Sequence, residues 1–490
     1  MTTSQESLRR DTWLAVALCA FAAFALGRAV QVANGMLHPA GLRWLTAALV
    51  TVLLALLAPS STGLERQLRS ALPLVLVAGL GLQFSQLLVT APGIYVDFAP
   101  GWSVAFLRPL AFAAVAAGAL VLPHDRARQL SVVVLLTAHL VVGVWLIRSS
   151  PAPAIDVFVF QRDAAHALLS GGNPYAMAFP NIYGESSGYY PPRLSGNGRV
   201  LFGFVYPPLS LLLATAGQAI GGDVRYAHLI AMTLGAALIA NIRPGPIGPL
   251  AAALYLFTPR TFFVLEQSWT EPFVVLFLAA TVFCAVRLPR VLPYALGLLL
   301  AVKQYTVLAV PVVPLLVGPQ WTLARFRSLV GRAVVVALAI SLPLALLDPA
   351  AFARSVVTLQ VHQPFRPDSL SYLAWLADRG GSVPSVGISF VAAAGVMGLA
   401  LWRLPRTAAG FALAVAAVSL VFFALNKQAF CNYYFFVIGA LCVAAAAGGP
   451  VSADPAATRS TRRRAGAAHR TDTDRRPDSP PPPDPGERPR

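Results

Sequence analysis

A few polar side chains stand out in an otherwise apolar chain, and their types and spacing define the chemistry open to it. Asp156 lies in the stretch PAPAIDVFVFQRDAAHALLSGGNPYAM, a few residues beyond an apolar run. A carboxylate held at the mouth of a helical bundle is suited to act as a general base toward a hydroxyl group. Asp is also favoured as a helix N-cap, and one side chain can serve both purposes. An aromatic, proline-rich stretch follows, with Tyr175, Tyr183, Tyr189-Tyr190-Pro191-Pro192 and Phe204-Val205-Tyr206-Pro207-Pro208. Such rings anchor a loop at headgroup depth or form a platform for sugar rings. Tyr175 and Tyr206 are the candidate substrate contacts among them.

Lysine usage is unusual. Of 37 basic side chains only Lys303 and Lys427 are lysines, and both occur as Lys-Gln (Lys303-Gln304, Lys427-Gln428) within or beside apolar runs. A cation there costs a few kcal/mol unless it faces a cavity or an anion. The compact ammonium group suits a phosphate, and the alternative is snorkelling to the headgroups. The segment LEQSWTEPFVVLF adds Glu266-Gln267 and Glu271 between two apolar runs. Glu266, more than Glu271, is expected to point into the bundle, since Glu271 before Pro272 can simply begin a helix. The segment VHQPFRPDSLSYLAWLADRG contributes His362 and Arg366 as phosphate or sugar ligands, with plain solvation as the other reading. Arg28 and Arg108 sit inside apolar runs and are expected to face an internal cavity.

The elements that must position these groups are membrane helices. The chain is 490 residues long, 57% hydrophobic and only 12% charged, too little polar surface to coat a soluble globule. Apolar runs of about 18 residues match a bilayer core of roughly 30 Å. Strand alternation is absent, so helices are the way to satisfy every backbone amide in hydrocarbon. Spans are expected near 12–30, 41–58, 71–90, 102–122, 130–147, 205–220, 224–241, 247–265, 272–286, 291–317, 328–347, 386–402, 407–424 and 431–447, about 13–14 helices in all. The first run lacks a cleavage-like site and reads as a retained helix. Cys19, Cys284, Cys431 and Cys442 have no metal-like spacing and read as packing residues.

The net charge of +17 is distributed as short cytoplasmic loops require, which argues for an anionic inner leaflet and against nucleic acid. Arg9-Arg10, Arg66 with Arg69, and Arg126 with Arg128 fall on one side if the N-terminus is cytoplasmic. The fifth span then delivers residues 148–203 to the outer face, and a second outer loop covers 348–384. Two topologies keep the tail inside. In one, every run crosses once and leaves Arg243, Arg287 and Arg290 outside. In the preferred one, 205–241 makes one net crossing and 291–317, interrupted by Lys303-Gln304, Pro311 and Pro314, folds as a hairpin. That places those three arginines inside. Within the first outer loop, Val157, Phe160, Ala164 and Leu168 form one stripe, with Arg162, Asp163, His166 and Ser170 off it. This predicts an amphipathic helix in the interface plane. Residues 1–129 form a four-helix extension, 130–449 a transmembrane module, and 450–490 a disordered, basic, proline-rich cytoplasmic tail.

An outer-loop Asp, ALLSGGNPY, VYPPLS, an EQ-containing turn, a mid-membrane KQ and LAVPVVPLL occur here in that order. In this the chain resembles the GT-C superfamily of membrane glycosyltransferases. The nearest group is glycosyltransferase family 87, the polyprenyl-phosphate-mannose-dependent α-mannosyltransferases. The resemblance covers residues 131–445. It implies an all-α, polytopic transmembrane bundle acting on the outer face of the plasma membrane, with no cofactor. Asp156 matches the family's loop carboxylate base and Lys303, more loosely, its phosphate-side lysine. Gln304, Lys427 and Arg366 would assist at the donor phosphate. Glu266, Gln267, Tyr175, Tyr206 and His362 would contact substrate. The donor would be a polyprenyl-phosphate hexose among membrane lipids and the acceptor an envelope glycolipid or glycan. The family's loop normally follows the first helix, whereas here four further spans precede it. No Asp-x-Asp pair stands where a nucleotide-sugar enzyme would hold one, which favours a lipid donor. The rival expectations are a secondary transporter or lipid flippase, which predicts broken helices in matching halves, and a non-catalytic envelope scaffold.

Overall fold

Long helices with large apolar side chains on their outer faces dominate the chain. Leu74, Val75, Phe112, Val115, Val335 and Val391 are each more than 60% exposed, a surface suited to lipid and not to water. The structure, a computed structural model, describes residues 12–58, 62–318, 321–382 and 385–448. The expected tail at 450–490 and Arg9-Arg10 lie outside the described residues.

Helices α1 (Trp13–Val32), α2 (Pro39–Leu57), α3 (Thr62–Val89), α4 (Trp102–Ala119) and α5 (Asp125–Ser149) come first. Short helix α6 (Asp156–Leu169) follows, then α7 (Pro208–Gly221), α8 (Arg225–Asn241), α9 (Ile247–Leu256), α10 (Thr261–Glu266), α11 (Glu271–Arg287) and α12 (Leu292–Val302). A 3-10 helix (Gln304–Leu315) leads to α13 (Leu323–Ala345), the short α14 (Pro349–Ala353), α15 (Leu359–His362) and α16 (Tyr372–Asp378). The last three are α17 (Gly387–Arg403), α18 (Ala408–Ala424) and α19 (Cys431–Ala447). Six described helices (α1–α5 and α13) are long and apolar enough to cross a membrane, by length and composition. Starts follow local chemistry: Thr12, Thr322, Ser371 and Thr407 each accept a backbone N–H of the first turn. Among the described residues the sheet is one antiparallel pair, β1 (Ser195–Gly196) with β2 (Arg199–Val200). The protein is an all-α helical bundle with the composition of a membrane protein.

Hydrogen bonds sort the loops into two ends. Leu37 N–H donates to the Asp368 carbonyl (2.8 Å), Tyr95 Oη to the Ala154 carbonyl (3.0 Å) and Gln161 Nε2 to the Ser268 carbonyl (2.5 Å). With the bond from Arg193 Nη2 to the His362 carbonyl (3.0 Å), these contacts gather residues 33–38, 90–101, 150–206, 257–270 and 348–382 at one end, the loop end. At the other, Arg287 Nε donates to the Ile242 carbonyl (3.0 Å), and Thr12, Ala58, Arg403 and Gly448 line one cavity.

Residues 291–317 turn back on themselves. Leu292 and Ala295 at the start of α12 share a cluster with Leu316 just past the 3-10 helix, so the run leaves at the end where it entered, with Lys303 at its apex. α7 and α8 are bent by 110°, and α7 keeps both ends near the loop end. Its start bonds the apex (Ser210 Oγ to the Val302 carbonyl, 2.5 Å), and beyond its finish Arg225 donates to the Ile147 carbonyl (3.2 Å). Arg225 is fully buried and paired with Asp223 at 2.6 Å. α8 alone therefore carries 205–241 from the loop end to the other end, where Ile242 accepts from Arg287.

One expectation is revised. Helix α6 does not present one apolar face to lipid; protein covers it on several sides. Phe160 and Ala164 pack into the loop's own core with Tyr175, Phe179, Phe202 and Phe204. Phe158 and Ala165 pack against Ala214 and Val224, and Gln161 is fully buried. The apolar residues outside the expected stripe decide this, because Phe158 and Ala165 open a second contact face.

Candidate functional site

Asp156 is the first residue of α6, one position inside the helix, with extended Ile155 as the N-cap. Its side chain therefore does not cap in the usual way. Oδ1 accepts from the N–H of Val157 (2.7 Å), and Oδ2 accepts a short hydrogen bond from Tyr190 Oη. The Asp156 N–H donates to Tyr183 Oη at 3.2 Å. The Tyr183 and Tyr190 rings stack with centroids 6.3 Å apart, and Tyr183 and Tyr189 lie 4.7 Å apart. Burial raises the Asp156 pKa above the ordinary value; the hydrogen bonds from Tyr190, Val157 and Tyr183, and the charge of Arg366, pull against it. A half-buried carboxylate with a raised pKa, outside the spans, has the character of a proton acceptor.

Arg366 reaches this carboxylate electrostatically from the second loop. It is held by Asp368 through two hydrogen bonds (2.9 and 2.7 Å) and lies over the rings of Tyr189 (4.3 Å) and Phe430 (4.7 Å). The bidentate pair and the two rings fix the guanidinium plane.

Lys303 occupies the hairpin apex and is 4% exposed. Its ammonium donates to Thr270 Oγ1 (2.6 Å) and Glu271 Oε1 (2.8 Å) and lies 4.3 Å from the centre of the Tyr206 ring. Glu271 Oε1 also accepts from Asn432 (2.9 Å) and Tyr305 (3.4 Å), whereas Oε2 is buried without a partner. Tyr206 thus belongs to the Lys303 cluster, and it also feels the charge of Asp156.

The other expected residues are placed as follows. Glu266, not Glu271, is engaged with a loop: it accepts the N–H groups of Ile94 (2.8 Å) and Tyr95 (2.9 Å), with Gln267 Nε2 at 3.1 Å. Both glutamates are fully buried: Glu266 turns inward onto the 90–101 loop, which supplies its donors, while Glu271 begins α11 and also turns inward, to Lys303. Gln304 Nε2 ties the apex to the carbonyls of Val205 (2.6 Å) and Val356 (3.1 Å). Tyr175 is a core residue of the loop, 1% exposed, with its hydroxyl on the Tyr206 carbonyl (3.0 Å). Lys427 Nζ gathers the carbonyls of Gln360, Val361 and Gln363 (2.8–3.2 Å) at the end of α15. His362 is exposed, with Nδ1 2.9 Å from the Thr358 carbonyl. Arg28 bonds Gln31 (3.1 Å), and Arg108 is exposed on the outside of α4, facing no internal cavity.

Sequence reasoning missed Tyr183 and Tyr190 as partners of Asp156, Thr270 and Asn432 as partners of the Lys303–Glu271 pair, and the whole 90–101 loop. The doubled tyrosine before Pro191-Pro192 was the available signal for Tyr190; nothing local marks Thr270 or Asn432. The arrangement offers a carboxylate that can take a proton and, at the hairpin apex, a buried cation already paired with Glu271. No protein-family model, curated protein or solved structure matches the chain.

Proposed function

We propose that the protein is an inverting, lipid-linked glycosyltransferase that moves a hexose, mannose by resemblance, from a polyprenyl-phosphate donor to an envelope glycolipid or glycan on the outer face of the plasma membrane. The observation that carries the reading is Asp156, a carboxylate held outside the spans by Tyr190 and Val157, at the same end of the helices as the Lys303 apex, which Gln304 ties to the loop carbonyls of Val205 and Val356. In this reading the base and a phosphate-compatible cation serve one reaction at the loop end. The acceptor hydroxyl gives its proton to Asp156 while its oxygen attacks the anomeric carbon. The carbon–oxygen bond to the phosphate breaks, and polyprenyl phosphate leaves toward Lys303. Fixed cations stabilise the charge that develops on the leaving phosphate.

The Asp156→Asn variant tests this. Asn keeps the volume and the contact to Val157 but cannot accept the proton. Transfer of radiolabelled sugar from polyprenyl-phosphate hexose should fall at least ~10²-fold with membrane levels unchanged. Asp163→Asn, on the same helix and paired with Arg162 at 2.9 Å, should matter far less. Retained transfer in Asp156→Asn removes the base. Transport is the second reading, favoured by the buried Lys303–Glu271 pair at a helix break. It predicts ion- or lipid-coupled flux that Lys303→Ala abolishes and Asp156→Asn spares.

A further inference from the structure

The loop at residues 90–101, between α3 and α4, is built into the loop end with more precision than a connection requires. Glu266, fully buried, accepts two consecutive N–H groups from it. Arg260 Nη1 donates to the Ala91 carbonyl (3.0 Å), and the Asp97 N–H donates to the Ser149 carbonyl (2.7 Å). Gly93 is required where the loop meets Glu266, because a Cβ there would overlap the carboxylate. A buried carboxylate committed to two backbone amides holds a loop in one geometry, since breaking either bond strands a charge.

What this clasp presents is aromatic. Tyr95 is 38% exposed, and its hydroxyl rests on the Ala154 carbonyl, two residues before Asp156. Tyr189, 36% exposed, reaches the same carboxylate from the other loop: its ring lies 4.7 Å from that of Tyr183, whose hydroxyl accepts the Asp156 N–H, and it is stacked on the fixed Arg366 guanidinium. Rings held rigid and left partly open beside a carboxylate base are suited to the apolar face of a pyranose, whose hydroxyls remain free for polar neighbours.

We propose that Tyr95 and Tyr189 form the platform for a sugar ring of the acceptor, so that the 90–101 loop sets acceptor specificity. The proposal rests on the transfer reading above for the direction of attack. It gives the α3–α4 segment a role in the reaction.

The test uses the full-length protein in nanodiscs. With acceptor varied, Tyr95→Ala should raise the acceptor KM roughly 3- to 10-fold and leave the donor KM unchanged, whereas Tyr95→Phe, which keeps the ring, should raise it by a clearly smaller factor. A fall in kcat shared by both variants, with acceptor KM unmoved, would assign Tyr95 to positioning Asp156 through Ala154 and overturn the platform. Tyr189→Ala, in a different loop, should raise the acceptor KM similarly, and an unchanged value there overturns the proposal too. Binding of α-linked mannotetraose to the Asp156→Asn protein, followed by saturation-transfer NMR, separates this idea from the transfer reading. If wild type transfers no sugar yet binding weakens in Tyr95→Ala, the transfer reading fails and the platform stands. If wild type transfers sugar and binding ignores both tyrosines, the platform alone fails.

Discussion

Replacing Lys303 with methionine should destabilise the protein, and removing Glu271 at the same time should restore it. At 2.8 Å, with an effective dielectric constant of about 20, the attraction between Lys303 and Glu271 is about 6 kcal/mol. Desolvation of both ions offsets much of that, so the measurable quantity is the cost of stranding one partner, about 3–5 kcal/mol. Glu271 Oε1 keeps its bonds from Asn432 and Tyr305 in the variant, which places the loss near the lower end, about 3 kcal/mol. Oε2, already without a partner, gains nothing. The double variant Lys303→Met/Glu271→Gln carries no charge at the apex and should melt close to wild type. All four cysteines are buried and free, so a thiol-reactive fluorophore reports unfolding in detergent without added probes. Lys303→Met should melt several degrees below wild type, and the cycle should show strong coupling between the positions. The restored double variant also separates stability from donor use: loss of the ammonium should still raise the donor KM by the equivalent of about 1.5–3 kcal/mol. Lys303→Met melting with wild type, or the double variant melting as low as the single, would refute the electrostatic account of the apex.

The clasp on the 90–101 loop gives a steric prediction. Gly93→Ala must evict the Glu266 carboxylate from two amides, at a cost of about 1–3 kcal/mol per stranded group, and should speed proteolytic cleavage near residue 95 in folded protein; cleavage at the wild-type rate would show that the loop does not depend on the clasp. The pH dependence follows from Asp156. Its pKa lies above the ordinary value because burial disfavours the charged form, so the active base forms only as pH rises through that higher value. The ascending limb of kcat/KM should therefore sit above the usual carboxylate range. Tyr190→Phe removes a hydrogen bond that lowers this pKa and should move the limb further up; a limb that stays put or moves down counts against Asp156 as the titrating base.

Composition and spacing were enough to read the class of this protein, because lipid imposes long apolar helices directly on the local sequence. The hairpin at 291–317 was legible for the same reason: Lys303-Gln304, Pro311 and Pro314 interrupt a run too long for one span, and the chain does turn at Lys303. Asp156, Lys303 and Arg366 were legible as isolated polar groups in or beside apolar surroundings. Their partners were not. The Glu266 contact to Ile94 joins residues 172 positions apart, Asn432 reaches Glu271 across 161, and Tyr190 reaches Asp156 across 34. Local pattern states only that a carboxylate must find donors; tertiary packing decides which donors lie within 3 Å. That is why Glu266 holds a loop while Glu271 pairs with Lys303, and why α6 is enclosed by protein on faces its stripe did not include. Burial cost is a property of one residue and its sequence neighbours, whereas its compensation belongs to the fold.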